Sequence, residues 1–92
     1  MAPPDWTVCC ARPEGAGGER LIEVAVANNE DQPTGPLMVT PVGSERRRSK
    51  MIASIESQSR AVVTFEDEAR AVISVSVVSL YDPKRWRAGN CN

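Results

Sequence analysis

Cys9, Cys10 and Cys91 are the residues of this chain best equipped for chemistry. Three thiols can bridge in pairs, stay reduced, or ligate a soft metal. A bond between adjacent cysteines closes a strained eight-membered ring. In an extended segment Cys9 and Cys10 also point to opposite faces, one toward a core and one outward. The bridge to expect therefore runs from Cys91 to either Cys9 or Cys10, stapling the end of the chain to its start. The alternative is three reduced thiols in a reducing compartment. A three-thiolate metal site is a third reading, with no ligand spacing to mark it. Localisation follows the same fork: extracellular or surface if the bridge forms, otherwise cytoplasmic.

Other reactive groups are sparse. The chain has no His, which removes Ser-His-Asp and Cys-His catalysis and most zinc-enzyme sites. The glycines of GAGG at 15–18 have neither the spacing nor the Lys of a phosphate-binding loop. Glu66, Asp67 and Glu68 could hold a cation, but three acids in one turn read first as a solvated hairpin tip. Neither catalysis nor a cofactor is expected. Two basic groups can contact anions. Arg46, Arg47 and Arg48 with Lys50 suit phosphate, and Lys84, Arg85 and Arg87 surround Trp86, interleaving an aromatic ring with positive charge.

The elements that must position these residues belong to a short chain. Ninety-two residues make a single domain over 1–92, with a flexible lead-in at 1–5 and a tail at 82–92. A core of that size leaves marginal stability, so a cross-link or partner would help. Net charge is −1, which names no partner, although charge alternates along the chain in acidic and basic blocks. No apolar run approaches the roughly 20 residues of a membrane span. The opening MAPPDWTV has neither a basic n-region nor an apolar h-region, so it does not read as a signal peptide.

Valine dominates the apolar residues, which favours strand over helix. Residues 69–81, ARAVISVSVVSLY, form the longest strand-like run, unbroken by Gly or Pro. Ile73, Val75 and Val77 alternate there with serines, and at Val77-Val78 the apolar series changes parity, toward Val78 and Leu80. A bulge, or burial on both faces, would do that, and the run is expected to be a central strand. Further strands are expected at 6–11, at 20–27 and at 60–65. The segment 36–42, with Pro36 and Pro41, is expected on an edge. Residues 43–50 form a basic loop. Residues 51–57 are ambiguous. Met51, Ala53 and Ile55 alternate as in a strand, while Ser44 could cap a helix with Met51, Ile52 and Ile55 on one face. Three arginines in its first turn would oppose the helix dipole, and the serines at 49, 54, 57 and 59 suit a helix poorly. Strand is therefore preferred. The expected core is Ile22, Val24, Val26, Val63, Phe65, Ile73, Val75 and Val77. About six short strands joined by turn chemistry predict an all-β antiparallel sandwich, the alternative being α+β with one helix near 45–58. If each connection reverses the chain, loop 43–50 lies at the same end as the acidic turn 66–68, and the start of the tail lies at the other.

The stretches LIEVAVANNEDQPTGPLMVT and SIESQSRAVVTF resemble immunoglobulin-like domains of bacterial cell-adhesion and surface proteins. The first looks like their strand, Asn-containing turn and strand, and the second like their turn into a Val-Thr-Phe strand. The resemblance covers residues 20–81. It implies an immunoglobulin-like sandwich and a non-catalytic protein-interaction or adhesion module of a bacterial or viral surface assembly. A protein partner, or a second copy through the 36–42 edge, would meet Leu37, Met38, Val39, Arg46, Arg47, Arg48 and Lys50, with Lys84, Arg85, Trp86 and Arg87 as a secondary basic site. The other reading is a small intracellular accessory or inhibitor protein that docks on a nucleic-acid-handling complex through the arginine loop.

Overall fold

Alternation of apolar and polar residues decides which face each strand buries. In the computed structural model of the protein, which describes residues 3–13, 20–43 and 48–91, that alternation produces seven strands. They are β1 (Trp6–Ala11), β2 (Leu21–Asn28), β3 (Leu37–Val42), β4 (Lys50–Ile52), β5 (Arg60–Glu66), β6 (Ser74–Ser79) and β7 (Trp86–Asn90). One sheet has the order β1-β2-β5 and the other β4-β3-β6-β7. Within both sheets the strands pair antiparallel. The expected all-β sandwich is the fold observed.

The core lies between the sheets. Ile22, Val24 and Val26 of β2 face Leu37 and Val39 of β3 and Val75 and Val77 of β6, all seven fully enclosed. Trp6, Ile52, Ile55, Phe65, Val72 and Cys91 complete the buried cluster. Asn28 is buried among them at no cost in unmet polar groups. Its Nδ2 donates to the carbonyls of Gln32 (2.8 Å), Ile55 (3.0 Å) and Glu56 (3.2 Å), and its Oδ1 accepts from the Glu30 N–H.

Several expectations need correction. No α-helix occurs among the described residues. The helix considered near 45–58 gives way to the short strand β4 and a loop, held by Ile52 and Ile55 turned inward and by an Ile55 N–H bond to Thr34 Oγ1. Met51, expected to share a face with Ile55, is instead exposed. β3 is not an edge strand, because β4 pairs with its first half and β6 with all of it. The reason lies in the ladder. Leu80 N–H bonds the Pro36 carbonyl, so by alternation Thr40 and Val42 bond toward β6, and Pro41 turns its missing donor toward the β4 side. β4 stops short of it.

The tail is not free either. Trp86–Asn90 pairs with β6 along its length, which puts β6 in the middle of its sheet as expected, but over Ser74–Ser79 only. Within β6 the alternation never changes phase. Val75, Val77 and Ser79 all face inward, and the Ser79 hydroxyl accepts from the N–H groups of Tyr81 and Asp82, both at 3.2 Å. A buried serine that ends its own strand produced the apparent shift of parity. Of the expected core, Val63 is half-buried, and Ile73, 65% exposed, lies outside it.

The two long sides of the sandwich differ. On one, β1 and β7 approach in parallel, bridged by Cys10–Cys91 with Cα atoms 4.9 Å apart. A side chain at Gly89 would meet the Val8 carbonyl at 2.8 Å, so only glycine fits there. Arg87 Nε adds a 2.8 Å bond to the Pro4 carbonyl. On the other side lie β5 and the three-residue β4.

Candidate functional site

The outward face of the four-stranded sheet is the surface whose chemistry stands apart. Strand register places Met51 opposite Met38, Met38 opposite Val78, and Val78 opposite Trp86. These four side chains point away from the core and form one row across all four strands, about 14 Å from first to last at the usual strand spacing. Met51 is 60% and Trp86 55% exposed, while Met38 and Val78 are half-buried between them. The next row is Thr40, Ser76 and Ala88, with the Thr40 hydroxyl 2.8 Å from that of Ser49. The third is Val42, Ser74 and Asn90. No outward position of β3, β4, β6 or β7 carries a charge, in a chain that is 25% Asp, Glu, Lys and Arg. Leu80, exposed beyond Val78, extends the apolar row at its margin.

The three-stranded sheet is different outside. Its outward positions include Glu23, Arg60 and Glu66 among small residues, with the free thiol of Cys9 exposed on β1. The register fixes which cysteine bridges. Cys10 shares the inward face with Val24, so Cys10 meets Cys91 and Cys9 does not.

The residues marked out from sequence do not form one site. Met38 and Trp86, assigned above to different sites, are brought into one row. Leu37 and Val39 are wholly enclosed in the core, so they present no surface. Arg46 and Arg47 lie outside the described residues. Arg48 is exposed and Lys50 lies at the same end, with Glu66, Asp67 and Glu68 across from them, as the alternating connections require. Lys50 Nζ bonds the Thr64 carbonyl and sits 5.2 Å over the Phe65 ring. Lys84 is exposed, and Arg85 and Arg87 are engaged internally.

The acidic turn is solvated at Glu66 and Glu68 but not at Asp67. Asp67 is buried. Its carboxylate accepts from Arg12 at 2.6 Å and from the N–H groups of Ala71 and Val72, closing the loop that enters β6. Burial alone would raise the Asp67 carboxyl, but the bond from Arg12 and those from the two amides outweigh it and hold it below the ordinary value. Glu30 behaves alike at the other end. Burial raises it, and the bonds from Arg85, the Asp5 N–H and Trp6 Nε1 bring it below the usual range. Arg85 also lies 5.6 Å over the Trp6 ring. Among the described residues, no group of three His, Cys, Asp or Glu is placed to hold a metal ion.

Comparison with protein-family models, with characterised proteins and with solved structures finds no match. The face therefore stands on its own geometry. Sequence reasoning passed over Val78, Thr40, Ser76 and Ala88 because each is unremarkable alone. The signal was the run of residues at one parity in four separate segments without a charge, and it reads as a face only once the pairing is known.

Proposed function

We propose that the protein is a non-catalytic interaction module of a surface assembly, bacterial or viral, and that it binds an uncharged protein surface through the outward face of its four-stranded sheet. The observation that carries this reading is the row Met51, Met38, Val78 and Trp86 on a face free of charge. Interface cores are depleted in charged residues and enriched in Met and aromatics, with polar groups at the rim. Here the hydroxyls of Thr40 and Ser76 flank the row, and the exposed Lys84 lies in the turn that leads into Trp86. Met supplies adaptable contact area and Trp86 a rigid anchor.

An immunoglobulin-like sandwich is the fold reading that accompanies it. The first, second and fifth strands share one sheet, and the third, sixth and seventh share the other with the fourth added. That grouping fits the two-sheet arrangement of immunoglobulin domains. The Cys10–Cys91 bridge supports an oxidising compartment and a surface role. It weighs against the intracellular reading. Docking on a nucleic-acid-handling complex through the arginine loop is further weakened because Arg48 shares its end of the sandwich with the acidic Glu66 and Glu68, and because Arg85 and Arg87 are taken up internally.

The test is comparative capture of partners by immobilised protein. A Met51→Glu, Trp86→Glu double variant should fold, since both side chains are largely exposed. It should lose the specific partner by tenfold or more. A Glu23→Arg variant, altered on the other sheet, should retain it. Equal retention by all three proteins would exclude this face.

A further inference from the structure

Among the described residues, β5 is paired on one side only. The Asp67 N–H bonds the Arg20 carbonyl and the Asn28 N–H bonds the Ser59 carbonyl. Ladder bonds alternate in an antiparallel pair, so the odd-numbered residues of β5 bond to β2. The N–H and C=O groups of Arg60, Val62, Thr64 and Glu66 therefore point away from the sheet, where no strand follows among the described residues. Lys50 Nζ reaches the Thr64 carbonyl. The strand runs seven residues without Pro or Gly, its register with β2 shows no bulge, and Val62 is 47% exposed. A long regular edge of this kind is a template for another strand.

We propose that β5 pairs antiparallel with β5 of a second copy, about a two-fold axis at Val63, so that two three-stranded sheets become one of six. Charge selects both the occupant and the register. Outward-bonding residues must oppose one another, so even-numbered residues face even-numbered residues. With Val62 opposite Thr64 of the second copy, Arg60 lies opposite the second copy's Glu66 and Glu66 opposite its Arg60. One pairing thus makes two ion pairs, and cross-strand pairs of opposite charge stabilise a ladder. Sliding by one hydrogen-bonded step in either direction separates Arg60 from Glu66 and sets Val62 or Thr64 against itself. The strand is complementary to its own reverse at one register. The Thr64 carbonyl has two lone pairs, so it can accept from the second copy's Val62 N–H while Lys50 holds it. Pairing one strand buries less than the roughly 800 Å² per partner of a standard interface, so association belongs to the weak, concentration-dependent class. This surface is separate from the uncharged face, and the inference does not depend on that face having a partner.

The test is sedimentation over a concentration series into the high micromolar range. The wild-type protein should pass from monomer to dimer. Val62→Pro removes an N–H that points off the edge, which edge strands tolerate, so the variant should keep its circular dichroism and stay monomeric. Arg60→Glu and Glu66→Arg should each weaken the dimer several-fold, and the double variant should restore it, with the difference fading as salt rises. The charge reversals decide the matter should Val62→Pro disturb folding. A wild-type protein that stays monomeric throughout overturns the proposal. So does a dimer that survives in folded Val62→Pro, or a double variant no better than the single ones.

Discussion

At the scale of the residue, three buried or half-buried polar groups hold loops that no apolar contact would hold. Asp67 gathers Arg12 and two amides, Glu30 gathers Arg85, Trp6 and the Asp5 N–H, and Asn28 gathers three carbonyls. For both carboxylates the folded value lies below the unfolded one. Their stabilisation is therefore complete above the ordinary values, 3.8 for Asp and 4.5 for Glu, and is lost as pH falls through the lower folded values. Stability should be flat near neutrality and fall in acid. Asp67→Asn should be less stable at pH 7 and show a shallower loss below roughly pH 4, checked by urea unfolding across pH. A parallel loss in both proteins would mean that other carboxylates govern the acid limb. Asn28→Asp is the sharper substitution. It deletes two donors and sets carboxylate oxygen against the carbonyls of Gln32, Ile55 and Glu56. Leaving buried groups unpaired costs about 1–3 kcal/mol each, so the variant should lose several kcal/mol by chemical denaturation. A loss under about 1 kcal/mol would show that the turn re-pairs without it.

At the scale of the element, legibility followed the strength of alternation. The bounds of β1, β2 and β5 lie within a residue or so of the stretches read as WTVCCA, RLIEVAVA and RAVVTF, because apolar bulk recurs there at every second position. β7 could not be read that way. WRAGN has its one bulky apolar residue outside, and its inward positions are Arg87 and Gly89, chosen for a bond to Pro4 and for room against Val8. The edge reading of 36–42 failed because two prolines were visible and the side to which they lacked a donor was not. Ile73 was misplaced for a related reason. It has the parity of Val75 and Val77, but it sits before β6 where the chain arrives from the Asp67 loop. The uncharged face was legible only in fragments, since its four apolar residues come from four strands. These placements make a paired prediction. Val75→Ala deletes two enclosed methyl groups and should cost about 1–3 kcal/mol. Ile73→Ala, cut from a largely exposed side chain, should stay within about 0.5 kcal/mol. Equal losses in thermal unfolding would put Ile73 back in the core.

At the scale of the molecule, the question is what keeps two small sheets together on the side where β1 meets β7. The apolar core lies between the sheets, but a chain of 92 residues has little to spare. The Cys10–Cys91 bridge spans a separation of 81 residues, from the first strand of one sheet to the end of the last strand of the other. In the chain-entropy account, closing a loop of that length constrains the unfolded chain by about 4 kcal/mol. A domain of this size shifts its melting temperature by about 4–8 °C per kcal/mol, so reduction should lower Tm by roughly 15–30 °C. Cys9→Ser should leave Tm unchanged and the bridge in place, because Cys9 faces outward and is free. Peptide mapping under non-reducing conditions should join Cys10 to Cys91 in both proteins. A Tm indifferent to reductant, or a map joining Cys9 to Cys91, would refute this assignment. The loss on reduction should also have a place. Among the described residues, β7 is paired to β6 alone and otherwise held to β1 by the bridge, the Arg87–Pro4 bond and the close approach at Gly89, whereas β2 is paired on both sides. Without the bridge, hydrogen exchange should quicken first in the amides of β7 and β1, while those of Ile22, Val24 and Val26 should exchange only with global unfolding.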